Sequence, residues 1–142
     1  MTSAYISRDL RQAIAELSSY RCGYCLTPEA LIGINLEIDH LIPRARGGRT
    51  EQDNLWLACS SCNDAKHDRM VAIDPQSQIH VPIFNPRHEI WREHFAWSND
   101  GRLIVGLSAV GRATVLALGP NAAIKVRARV FWIAAGVHPP SD

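Results

Sequence analysis

The chain has 142 residues, enough for one domain that buries roughly two-thirds of its unfolded surface. An apolar fraction of 46%, a charged fraction of 20% and a net charge of +1 are ordinary for a globular protein, with no overall basic field to advertise a nucleic-acid partner and no apolar run approaching a membrane span. Of the 15 basic residues only Lys66 and Lys125 are lysine; arginine's planar fork suits bidentate phosphate contacts, although arginine-biased codon usage explains any single residue equally well.

The opening MTSAYISRDL lacks the basic-then-apolar pattern of a signal segment, and a cytoplasmic setting is expected. From Ser7 to Ser19, Leu10, Ile14 and Leu17 recur at helical spacing behind Ser7 as a candidate N-cap. The knuckle Cys22-Gly23-Tyr24-Cys25 follows. Ile34, Leu36 and Ile38 alternate with polar neighbours and predict a strand running into Asp39-His40. Pro43 and Gly47-Gly48 mark a long arginine-bearing loop, and Asn54-Leu55-Trp56-Leu57 predicts the return strand of a hairpin. A second knuckle, Cys59 to Cys62, leads into a helix expected from near Cys62 to about Arg69.

Beyond Met70, three prolines between Asp74 and Pro86 predict a linker over the surface. Arg87 to Phe95 reads as a short helix, Asn99-Asp100-Gly101 as a hairpin turn, and Ala109–Leu118 and Asn121–Ala135 as two helices divided by Gly119-Pro120. The aromatic residues Trp91, Phe95, Trp97, Phe131 and Trp132 alternate with charges and are expected in a core rather than stacked on bases. His88 and His94 have no partner motif and default to structural or surface roles. Arg112, Lys125, Arg127 and Arg129 are candidates to extend a nucleic-acid surface.

All four cysteines fall in the two CxxC pairs. Without an export signal, such pairs read as metal ligands ahead of disulfides or redox thiols. Cys22, Cys25, Cys59 and Cys62 can supply a closed tetrahedral site, the usual form of structural zinc. Four thiolates leave no open position, so this ion staples the fold and does no chemistry. The long stretch between the knuckles must itself be folded, and it contains Asp39-His40.

Taken together, CGYC…EIDHLIPRARGGRTEQDNLWLACSSCNDAKHDR over residues 22–69 resembles the HNH endonuclease family, the ββα-metal nucleases. The Asp-His pair, the Gly-Gly loop, Asn-Leu and CxxCN with a following basic residue occur in order and at the family's spacing. The resemblance implies an α+β fold, a ββα-metal core on a zinc knuckle. Residues 1–72 would form that core with its N-terminal helix. Residues 73–142 would be a hairpin-plus-helices extension packing on it rather than an independent domain. That extension resembles a tail on small stand-alone bacterial members.

The same resemblance implies roles. His40 would be the general base, Asp39 and Asn63 the ligands of a catalytic divalent ion, and Asn54 the residue holding the loop that positions His40. His67, four residues after Asn63 and so expected on the same helical face, is a candidate third ligand. One carboxylate and one amide suit Mg²⁺ or Mn²⁺, whereas an added imidazole favours Ni²⁺ or Co²⁺. Arg44, Arg46, Arg49, Lys66 and Arg69 are candidate phosphate contacts, set against the plain reading of a solvated loop. The expected partner is DNA, double-stranded in the first instance, cut to a 5′-phosphate and a 3′-hydroxyl by a monomer or homodimer. The competing readings are a catalytically degenerate zinc-stabilised binding module, and a nuclease acting on RNA or branched DNA.

Overall fold

A computed structural model describes residues 5–141, so the first four positions and the last lie outside the described residues. The chain is α+β, with short helices and three two-stranded antiparallel sheets. It divides into two compact units. The first takes the chain up to Met70 together with Asn85–His88, and the second takes Val71–Phe84 and the chain from Glu89 onward. No helix among the described residues is long and apolar enough to cross a membrane.

In the first unit, helix α1 (Arg8–Leu17) starts where Ser7 Oγ accepts the Leu10 N–H at 3.1 Å. Ile14 and Ala15 are its buried residues, whereas Leu17 lies half exposed. Helix α1 packs against strand β2 (Leu55–Ala58), which pairs with β1 (Glu37–His40) in the register Glu37↔Ala58 to His40↔Leu55. The predicted strand start near Ile34 was too early. A one-turn helix, α2 (Glu29–Ile32), ends at Gly33 in the left-handed region, and Ile34 is 68% exposed. Only after Leu36 is buried does the chain extend into β1.

Helix α3 (Ser60–Lys66) begins and ends earlier than predicted. Cys59 is its N-cap, and His67, at φ 50° and ψ −119°, has already left the helix. Along α3, Cys62 and Lys66 are one turn apart and both face inward. Asn63, rotated about 100° from Cys62, faces another direction.

The second unit opens with a hairpin where a linker was expected. Strand β3 (Val71–Ile73) pairs with β4 (His80–Pro82). Asp74 makes the turn, accepting from the N–H groups of Gln76 and Ser77 and from Ser77 Oγ. Pro75 sits in that turn and Pro82 at the strand end, the two places where proline does not break a ladder. Helix α4 is confined to Trp91–His94 because Phe95 starts β5 (Phe95–Trp97), which pairs with β6 (Ile104–Gly106) around the predicted Asn99–Gly101 turn.

Helices α5 (Ala109–Leu118) and α6 (Ala123–Ala134) complete the second unit. Its core holds Phe84, Phe95, Ile104, Ala113 and Leu118, with Phe84 and Phe95 edge-on at 5.1 Å. Phe131 departs from the core expectation at 69% exposed. Arg112 and Arg129 turn inward rather than extending a surface. Arg112 forks onto both Asp74 oxygens at 2.9 Å, and Arg129 donates to the carbonyls of Arg102 and Pro120 beside the Trp97 ring. His94 is held between Ser108 Oγ and Glu89.

Candidate metal centre and hydrolytic cleft

Two groups of ligand-type residues occupy the first unit. The cysteines are gathered by the first knuckle, where Gly23 N–H donates to Leu57 O at 2.9 Å and Leu26 N–H closes the turn onto Cys22 O at 3.0 Å. Helix α3 brings Cys59 and Cys62 to meet them. The four sulfurs lie within 4.8 Å of one another, all buried, with Cys25 and Cys59 at 3.6 Å. A tetrahedral ion with bonds of about 2.3 Å needs sulfurs about 3.8 Å apart, so the cage fits zinc.

Thiol electrostatics point the same way. Burial, then hydrogen bonds from the other three cysteines, push Cys22 well above the ordinary thiol range. Cys25 is pulled down to about 6, first by its hydrogen bond with Cys22. Crowded thiols thus share protons unevenly, and a divalent cation is the species that lets all four ionise together.

The second group surrounds the end of β1. Strand alternation buries Asp39 and leaves His40 half exposed. A bend at Leu41-Ile42 ends the strand, so both residues reach one cleft of about 350 Å³. Asp39, His40, Arg44, Asn63, Asp64 and His67 are among its lining residues.

Beyond the bend, the loop is held by Asn54, whose Oδ1 accepts the Ile42 N–H at 2.8 Å. Its Nδ2 donates to the carbonyls of Ile42 at 3.1 Å and Arg49 at 2.9 Å. Gly48 is pressed so closely on Ile42 O that a Cβ there would lie 1.7 Å from it, which is why the loop needs a glycine.

Each side chain of the cleft has a defined partner. His40 Nε2 lies 2.9 Å from Thr50 Oγ1. Asn63 Nδ2 donates to Glu37 Oε1 at 2.8 Å. Asp39 is 2% exposed, with Tyr24 donating to Oδ2 at 2.5 Å and Lys66 Nζ 3.1 Å from Oδ1. Burial pushes the Asp39 carboxyl up, and Lys66 and then Tyr24 oppose that rise. Burial, then the Arg44 charge, lower His40, which favours its neutral, proton-accepting form near neutral pH.

The basic residues expected to contact phosphate differ in their surroundings. Lys66, expected on a phosphate, is 3% exposed, because its one-turn spacing from buried Cys62 carries it inward beneath Asp39. Arg46 donates through Nε to Asp68 O, Arg69 donates to Ala65 O, and Arg49 stands exposed beside Glu51. His67 lines the cleft, but from the residue that ends α3 rather than from the helical face of Asn63. Among the described residues, only the cysteines bring three or more His, Cys, Asp or Glu ligand atoms within 4.8 Å; Asp39, His40 and His67 do not close to that distance.

Tyr24, Thr50 and Glu37 were not singled out from the sequence. Tyr24 sits between two buried cysteines, a signal that its ring is buried too. Nothing in the sequence marked Thr50, because its partner lies across the loop.

Comparison with known families agrees with this geometry. Residues 22–69 match the family model described as HNH endonuclease. No curated protein and no solved structure matches the chain. The matched stretch of residues 22–69 thus resembles an HNH endonuclease, and it contains the four cysteines placed as a zinc-binding knuckle.

Proposed function

We propose that this protein is a metal-dependent endonuclease that hydrolyses DNA phosphodiester bonds in the cleft at the end of β1. The observation that carries the reading is the convergence of Asp39, His40 and Asn63 on that cleft, from two different elements. Asp39 and Asn63 are the residues that would hold a divalent ion, Mg²⁺ or Mn²⁺ by their oxygen donors, and His67, which lines the same cleft, would have to move closer to add an imidazole. Such an ion, when bound, supplies charge neutralisation at the scissile phosphate and at the departing 3′ oxygen.

The chain's own residues do the rest. In the tautomer whose Nε2–H donates to Thr50 Oγ1, His40 Nδ1 takes a proton from water as its oxygen attacks phosphorus. The P–O3′ bond breaks and the departing 3′ oxygen takes a proton from solvent, giving a 5′-phosphate and a 3′-hydroxyl. Asn54 holds the loop carrying Thr50, and Arg44, which lines the cleft, would meet a phosphate oxygen. The Cys22, Cys25, Cys59 and Cys62 site keeps β2 and α3 in place through a structural zinc.

One observation favours the second reading, a module that binds nucleic acid without cutting it: both Asp39 oxygens are already engaged by protein groups. Plasmid DNA incubated with Mg²⁺ or Mn²⁺ distinguishes the two. Nicking or linearisation by the wild type, lost in His40→Ala, supports the hydrolase. Tight binding without cleavage by either protein supports the module. Single-stranded RNA and branched DNA in parallel lanes decide the substrate.

A further inference from the structure

Lys66 is the charge that the proposed mechanism leaves without a task. Its ammonium is buried, 3.1 Å from Asp39 Oδ1, 3.0 Å from His40 O and 3.4 Å from Leu41 O. A buried ammonium is costly unless paired, and this one is paired with the carboxylate that is placed to bind a divalent ion. The same ammonium grips two consecutive carbonyls, those of His40 and Leu41, where the strand gives way to the bend. Tyr24 holds the other carboxylate oxygen, so Asp39 is engaged on both of its oxygens beside Lys66. Any cation that takes Asp39 must therefore share it with a fixed positive charge.

We infer that Lys66 is a positioning residue that also sets the affinity of the cleft for divalent ions. It orients Asp39 and the His40 backbone, and its charge weakens ion binding, so that the site exchanges its ion readily. Like-charge repulsion at such short range, with water largely excluded, exceeds what surface screening removes. The inference rests on the proposed reading of Asp39 as a metal ligand.

Mn²⁺ titrations followed by electron paramagnetic resonance separate the two ideas. Zinc-loaded wild type is compared with Lys66→Met, Lys66→Arg and Asp39→Asn. Lys66→Met keeps the stem and removes the charge, and should bind Mn²⁺ at least tenfold more tightly. Lys66→Arg keeps the charge and should stay closer to wild type than Lys66→Met does. If Asp39→Asn leaves Mn²⁺ binding unchanged, the ligand reading itself fails. If Asp39→Asn abolishes binding while folded Lys66→Met binds no more tightly than wild type, the inference about Lys66 alone fails.

A measurement on the wild type covers the case in which Lys66→Met does not fold. Lysine occurs only at positions 66 and 125, so ¹⁵N-lysine labelling gives two Nζ signals, assigned with Lys125→Arg. The Lys66 signal should shift as Mg²⁺ is added. A signal that ignores Mg²⁺, in a protein whose ion binding depends on Asp39, would overturn the inference.

Discussion

Removing the cysteine-bound metal is the perturbation with the largest expected consequence. The four sulfurs already lie within 4.8 Å of one another, against a tetrahedral edge of about 3.8 Å, so an ion enters with shifts of under about 1 Å. Structural zinc in small domains supplies an apparent ~10–16 kcal/mol near pH 7, against a total stability of ~5–15 kcal/mol for a typical domain. Four of the buried residues of the first unit are the cysteines themselves, leaving Ile14, Tyr24, Leu36, Leu41, Leu55 and Leu57 as its large core side chains. Stripping the ion should therefore unfold this unit, and Cys62→Ser should approach the same result.

Hydrogen exchange reads the outcome locally. The Gly23 and Leu41 amides, bonded to Leu57 O and Asn54 O, should lose protection when a strong chelator is added under reducing conditions. The Phe84 amide, bonded to Thr114 Oγ1 in the second unit, should keep more of its protection. Preparations holding about one zinc per chain should regain the lost protection when zinc is restored. Intact protection of Gly23 and Leu41 in a demonstrably metal-free protein would refute the reasoning.

Three smaller perturbations test other parts of the molecule. Thr50→Val removes the hydroxyl on His40 Nε2, and should lower kcat roughly tenfold or more with little change in Tm. A fall in Tm matching the loss of activity would instead make Thr50 a folding residue. Asn54→Ala deletes three hydrogen bonds that close the loop, and should cost about 1–3 kcal/mol in urea unfolding as well as activity; unchanged stability would count against the clamp.

Acidification probes the second unit. Hydrogen bonding from Arg112, first, holds the Asp74 carboxyl well below the usual carboxylate range. A group depressed in the folded state stabilises it above the unfolded value, near 4, and that contribution is lost as pH falls toward the folded value. Melting of the second unit should therefore decline below about pH 4, and Arg112→Met should flatten that decline. Identical acid profiles for the two proteins would contradict the ion pair.

Parts of the structure were legible wherever a signal is local. Ser7 announced a helix, because an N-cap acts three residues away. Asn99-Asp100-Gly101 announced a hairpin turn, because turn residues act on their own backbone. The β3–β4 hairpin was hidden because three prolines resemble a linker. What makes Pro75 and Pro82 compatible with pairing is the buried Asp74, anchored by Arg112 thirty-eight residues away. Arg129 was read as a surface charge for the same reason, since its partners at Arg102 and Pro120 are set by how α6 packs.

Sequence alone determined the four-cysteine ligand set, because cysteine spacing dictates whether two sulfurs can share an ion, and it carries the family match over residues 22–69. Tertiary structure decided what stands behind that match. It ended α3 at Lys66 and sent His67 out of the helix, and it set Thr50 on His40. It also enclosed Asp39 between Tyr24 and Lys66, residues fifteen and twenty-seven positions distant. Such contacts join residues that no local propensity links, so only packing around the knuckle brings them together.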